Sequence, residues 1–138
     1  MISNTTTSVY SALEEAINVS SHALGFVLSI VALGALLRYS VPGGDILKIV
    51  SVTIFGCSLV IAYGTSTAYH SSRLPLRRSR LRIMDHASIY ILIAGTYTPF
   101  ALVVLQGSIG WIILGVSWGM AIVGITLKIF FTGRYQLL

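Results

Sequence analysis

The stretch that decides the fold is Ala87–Leu127, ASIYILIAGTYTPFALVVLQGSIGWIILGVSWGMAIVGITL, 41 residues without one charged side chain. As a single α-helix it would run about 60 Å, twice the hydrocarbon core of a bilayer. It must therefore hold two membrane helices and a turn. Gln106-Gly107-Ser108 and then Gly110 are the clustered helix breakers of its interior. They predict helices over about 86–105 and 109–131.

Two more uncharged stretches lie upstream. Ile49–Ser72 is bounded by Lys48 and Arg73, and Ala16–Leu37 by Glu15 and Arg38. They predict helices over about 47–71 and 17–38, joined by the turn Tyr39–Asp45 with Pro42 and two glycines. Residues 72–84 form a basic loop between the second and third helices. The expected fold is all-α, a polytopic membrane bundle of four helices, with residues 1–138 as one membrane domain. A membrane β-barrel needs alternating polar and apolar residues. Continuous runs such as Ile30–Leu37 do not alternate.

Composition agrees. Hydrophobic residues are 55% of the chain and charged residues 9%, against about 25% charged in soluble domains. Thirteen charges cannot cover a soluble globule of this size. The composition excludes a soluble enzyme, a disordered tail and a nucleic-acid-binding domain. The net charge of +5 is local: five of nine positive residues fall between Arg73 and Arg82. In a membrane protein such a cluster marks a cytoplasmic connection and attracts anionic lipid headgroups. The single cysteine, Cys57, cannot form an intramolecular disulfide and reads as lipid- or core-facing packing. The first 37 residues hold no Lys or Arg, so no signal-peptide n-region is expected. Residues 1–11, MISNTTTSVYS, are polar and predict little order.

Four spans put both termini on one side, together with the basic segment. That side holds Arg73, Arg77, Arg78, Arg80, Arg82, Lys128 and Arg134, and the other holds Arg38 and Lys48. The positive-inside rule then predicts a cell-membrane protein with both termini cytoplasmic. Gly115 and Gly119 make one GxxxG in the fourth helix, which serves bundle packing or self-association.

This topology brings the ionisable residues to one depth. Glu14, Glu15, Asn18 and His22 open the first helix, Ser66 and His70 close the second, and Asp85 and His86 open the third. Glu14, Asn18 and His22 are spaced by four, as are Ser66 and His70. Lipid offers polar groups no partners, so three such stripes predict a shared polar pocket. Asp85 is expected to approach His70, within a water-bridged distance. Each residue also has a plainer reading. His70 and His86 suit the membrane interface, Asp85 a helix N-cap, and Glu14 and Glu15 a solvated first turn. Ser66 suits a bond to its own backbone, and the five arginines a topology signal. Neutral imidazole with a nearby carboxylate suits zinc. No HExxH or His-x3-His spacing is present.

Three segments together resemble the hemolysin III family, the bacterial branch of the progestin and adipoQ receptor superfamily. They are Glu14-Glu15-Ala16-Ile17-Asn18 with Ser21-His22-Ala23-Leu24-Gly25; Ser66-Thr67-Ala68-Tyr69-His70; and Asp85 through Phe100. The resemblance covers about residues 10–135. It implies a seven-helix fold with a cytoplasmic N-terminus, of which these would be the first four helices. It also implies zinc at the cytoplasmic end, with His70 a direct ligand, Asp85 acting through a water and Ser66 beside them. The family's other two ligands, a His-x3-His pair on the seventh helix, have no counterpart here, so zinc binding by this chain is expected to be weak or absent.

The resemblance implies a receptor-like or membrane-homeostasis role under a cytolysis or channel name. Superfamily analogy adds a zinc-dependent amide or lipid hydrolase, with Asp85 and Ser66 as catalytic candidates. A truncated, non-functional remnant is the third expectation. Glu14, Asn18, His22 and His86 would support the site. The expected partners are the lipid bilayer, anionic lipid at Arg73–Arg82 and a second copy of the chain, with no nucleic acid.

Overall fold

The computed structural model describes residues 11–131. They form α1 (Ala12–Ser40), α2 (Ile46–Ser71), α3 (Pro75–Pro99, continued by the π-helical turn Phe100–Leu105) and α4 (Gly107–Phe131). No strand occurs among the described residues. All four helices are long and apolar enough to cross a membrane. The expectation for the first residues lies outside the described part, except at Ser11.

Local chemistry sets the helix ends. Ser11 caps α1: its Oγ accepts from Glu14 N at 3.2 Å, and the Glu14 carboxylate accepts from Ser11 N at 2.6 Å. Asp45 caps α2, its carboxylate accepting from the amides of Leu47 and Lys48. Between them Val41–Gly43 makes one 3₁₀ turn, closed by Gly44 at φ 66°. The predicted break at 106–107 is equally sharp, with Gln106 at φ 47° and Gly107 at φ 59°. Pro99 precedes it. Proline has no N–H for the carbonyl four residues back, and the helix widens into the π turn directly after it.

The third helix departs from expectation. It starts at Pro75, not near residue 86, and the segment 72–84 is mostly helical. The connection shrinks to Ser72–Leu74. Charges end an apolar run, but arginine, leucine and methionine are good helix formers, and Pro75 suits the first turn. Asp85 therefore lies inside α3, and the N-cap position belongs to Leu74. Reading Asp85 as a helix cap is overturned.

The substantial contacts follow chain order, α1 on α2, α2 on α3 and α3 on α4. The contacts are made by small side chains. Ser51, Ser58, Ser66, Ser88, Thr98, Ala94 and Ala101 are buried, while dozens of large apolar side chains face outward. A soluble protein would have this inside out; in lipid, close backbone approach rather than apolar burial holds helices together. Gly25 receives the ring of Tyr63, Gly56 the side chain of Leu33, Gly95 the hydroxyl of Ser58 and Gly124 the ring of Tyr90. Gly115 and Gly119 have open space around them, so packing among the described helices does not use the GxxxG. Cys57 is exposed on α2, facing outward rather than into the contacts.

Polar bridges accompany the small residues. Thr65 Oγ1 donates to Ser88 Oγ at 3.0 Å between α2 and α3. Trp118 Nε1 donates to Thr98 Oγ1 at 3.1 Å between α3 and α4, and Thr98 itself donates to the Ala94 carbonyl. Thr98 is fully buried. Thr98→Val should orphan the indole N–H and cost about 1 kcal/mol, the usual scale for such bonds between membrane helices. Reversible unfolding in mixed micelles would measure it.

Candidate functional site at the basic end of the bundle

The start of α1, the end of α2 and the first turns of α3 meet at one end. An α-helix of 29 residues, such as Ala12–Ser40, runs about 44 Å. That exceeds a hydrocarbon core of about 30 Å, so helix ends reach the headgroup layer. Charged groups can meet there without crossing lipid.

Glu15 is the hub. Its Oε2 lies 2.8 Å from Nδ1 of His70, and its Oε1 pairs with the Arg78 guanidinium. One carboxylate thus ties α1 to α2 and to α3. The three side chains are partly or largely buried, with 9% of His70, 22% of Glu15 and 30% of Arg78 exposed. Arg78 is held from two further directions. It donates to the Ser72 carbonyl at 3.3 Å, and its guanidinium carbon sits 4.8 Å from the Tyr69 ring centroid. His22 stacks on His70, with ring centroids 5.7 Å apart and planes within 7°. The Tyr63 ring also lies near His22, with centroids 6.0 Å apart.

The expected site residues are distributed unevenly. His22 and His70 come together, and Ser66 is buried one turn before His70. Asn18 is half-buried on α1 between the Glu15 and His22 turns. Glu14 does not join them; it is exposed and spent in the Ser11 cap. Asp85 is half-buried on α3. His86 stands within reach of the charges of Lys128 on α4 and of Asp85, and its buried Nδ1 has no hydrogen-bond partner among the described residues.

Two hub residues carried a plainer reading in the sequence. In the sequence Glu15 is one of two first-turn acids beside Glu14, and Arg78 is one of five arginines that signal topology. Helical spacing already separates the two acids. From Glu15 to His22 is seven residues, about 700°, within about 20° of two full turns. From Glu14 it is eight, which overshoots by about 80°. Glu15 shares the face of His22. Arg78 had no such signal, because its partner lies 63 positions away in sequence.

The donors in this cluster are those a zinc site uses, an imidazole with a carboxylate behind it. Yet no three His, Cys, Asp or Glu side chains converge on a metal-sized site among the described residues. One imidazole with a carboxylate behind it falls short of the three protein ligands that an open metal centre needs, and no metal-dependent step follows from these residues alone.

Comparison with known proteins names the scaffold. The family model for haemolysin-III-related proteins matches residues 10–137. The chain belongs to the haemolysin-III-related family. The Hemolysin-3 homolog of Bacillus subtilis (strain 168) is 43% identical over 130 residues, which cover 94% of this chain and 61% of that protein. Hemolysin-3 of Bacillus cereus is 43% identical over 122 residues, covering 88% of this chain and 56% of its own. The chain thus spans about three fifths of the length of these relatives. No solved structure matches it.

Proposed function

We propose that this member of the family is a receptor-like or homeostatic membrane protein, working through the cluster around His70 at the cytoplasmic end of its bundle. The observation that carries this is the three-helix junction of Glu15, His70 and Arg78. Ionisable groups are costly in membrane helices, so a set that is paired and partly buried supports a working site. The cytoplasmic placement rests on the positive-inside rule, seven basic residues against two. The bilayer is the partner, with anionic headgroups the expected neighbours of Arg73–Arg82.

Purified protein in dye-loaded vesicles distinguishes this role from cytolysis. Dye release should stay at the level of protein-free vesicles. In cells deleted for their own relative, wild-type protein should change membrane order, read by polarisation of a lipid probe. His70→Ala should abolish that change. Dye release at stoichiometric protein, or full activity of His70→Ala, would reject the role.

A second reading, a zinc-dependent amide or lipid hydrolase, draws support from the carboxylate behind His70. A catalytic zinc needs three protein ligands and an open position. Metal analysis of this chain, purified without an affinity tag, should find well below one zinc per molecule. In a longer relative that carries the remaining helices, zinc content should be higher and should fall with the equivalent of His70→Ala. Near-stoichiometric zinc in this chain, lost on His22→Ala, would make His22 and His70 a site in their own right.

A further inference from the structure

We propose that the outward face of the first turns of α3 is a discrete site for one anionic phospholipid of the cytoplasmic leaflet, with Arg77 and Arg80 on its phosphate and Leu74, Leu76 and Met84 along its acyl chains. This deepens the bilayer partnership of the proposed function, and the choice of leaflet rests on that reading; its test does not. The face exists because α3 is helical from Pro75. At about 100° per residue, Leu76, Arg77, Arg80 and Met84 fall within about 100° of one another around the helix. Arg78 lies about 160° from Arg80, which turns it to Glu15. The arginines of this segment thus divide. Arg78 is spent inside the bundle, while Arg73, Arg77 and Arg80 are exposed and, among the described residues, form no ion pair with an acid.

Depth and neighbouring side chains say what covers this face. The Arg78 guanidinium reaches Glu15, next to the start of the uncharged stretch of α1, and the Ser72 carbonyl, at the end of that of α2. Both mark the border of the hydrocarbon core. Arg77 and Arg80 lie within two residues of Arg78, about 3 Å along the axis, so they stand in the headgroup layer. Beside them Leu74 is 64% and Leu76 81% exposed, and Met84 is exposed too. Water penalises such side chains, whereas acyl chains take them while the arginine stems rise to the headgroups. No acid of the chain caps this helix end: Ser11 with Glu14 caps α1 and Asp45 caps α2, but Leu74 gives α3 no side-chain cap. An anion carrying acyl tails matches both halves of the face. Arginine's planar fork takes phosphate oxygens in pairs, and side chains three apart are neighbours on a helix. General attraction of positive charge to a membrane surface needs no such arrangement; a discrete site does.

The test is lipid preference in detergent, where membrane orientation plays no part. The full chain is titrated with phosphatidylglycerol and with phosphatidylcholine, and native mass spectrometry counts the lipids bound. The first phosphatidylglycerol should bind about tenfold tighter than phosphatidylcholine, the scale of a hydrogen bond to a charged group. Arg77→Gln with Arg80→Gln should bring the two lipids within about twofold. Arg77→Lys with Arg80→Lys keeps the charge but loses the fork, and the preference should fall to about threefold. Equal affinity for the two lipids in wild-type protein would overturn the proposal, and needs no variant to fold. So would lysine variants that match wild type, which would leave the attraction diffuse. Loss of the preference in Arg38→Gln with Lys48→Gln, at the opposite end, would overturn the location. Displacement of phosphatidylglycerol by millimolar inorganic phosphate would overturn the lipid and make the site one for free phosphate. Failure of the functional role would look different: His70→Ala would keep the full effect on membrane order while the lipid preference stayed as described.

Discussion

Replacing Arg73, Arg77, Arg78, Arg80 and Arg82 together by glutamine is expected to turn a single membrane orientation into a mixture. The basic end carries seven positive residues and the other end two, so the change leaves two against two. Orientation is set by that difference in Lys and Arg near the membrane ends. Reporter fusions in the 39–45 turn and at residue 78 would read it. In wild-type protein the first should report from outside and the second from the cytoplasm. In the variant both sites should report from both sides. The opposite pattern in wild-type protein would refute the orientation. A variant that keeps Arg78 and neutralises the other four separates the two roles of the cluster. It should lose most of the bias while the Glu15–Arg78 pair stays intact.

Gly110→Ala should be the most damaging single methyl addition in the helical region. A Cβ at Gly110 would run into the carbonyl oxygen of Ala101, in the π turn that ends the third span. A backbone carbonyl cannot swing aside as a side chain can. Either α4 moves away from α3 or the π turn reshapes. Overpacking of this kind costs about 1–3 kcal/mol, set against the helix propensity gained by alanine, about 1 kcal/mol at most. A net loss is expected, visible as a lowered unfolding midpoint in mixed micelles. Gly115→Ala is the control. Nothing lies within 4 Å of a Cβ there, so the stability of the monomer should not fall. If Gly115→Ala instead weakened association between copies, that face would be where chains meet.

Much of the scaffold is legible along the chain because membrane helices leave a one-dimensional record. Forty-one uncharged residues cannot be one span, and the breakers at Gln106 and Gly107 mark the turn that the dihedral angles carry out. The turn before Ile46 is equally plain, with Pro42, two glycines and the capping Asp45. The start of α3 is not recorded in this way. Charge ends the hydrocarbon span, but backbone hydrogen bonds continue through Arg77 to Arg82, so the helix outruns the apolar run. The uncharged stretch marks where lipid begins, and the helix begins earlier.

The polar site was legible in its depth and composition. Four-residue spacing put Glu14, Asn18 and His22 on one face of the first helix and Ser66 and His70 on one face of the second, at the same end, but it chose the wrong acid: Glu14 is spent in the Ser11 cap and Glu15 meets His70. What spacing within a helix cannot specify is the rotation of one helix against the next. That rotation is decided by Leu33 lying against Gly56, Tyr63 against Gly25 and Ser58 against Gly95. With α1 seated this way, Glu15 rather than Glu14 faces His70. With α3 helical from Pro75, Arg78 comes round to close the carboxylate from the other side. The sequence by itself determined four apolar spans, their turns and the depth of the ionisable residues, since each follows from periodicity and the cost of charge in lipid. Only the tertiary structure decided which acid meets which base, because that contact joins residues 55 and 63 positions apart and depends on how the small side chains let the helices rotate and approach.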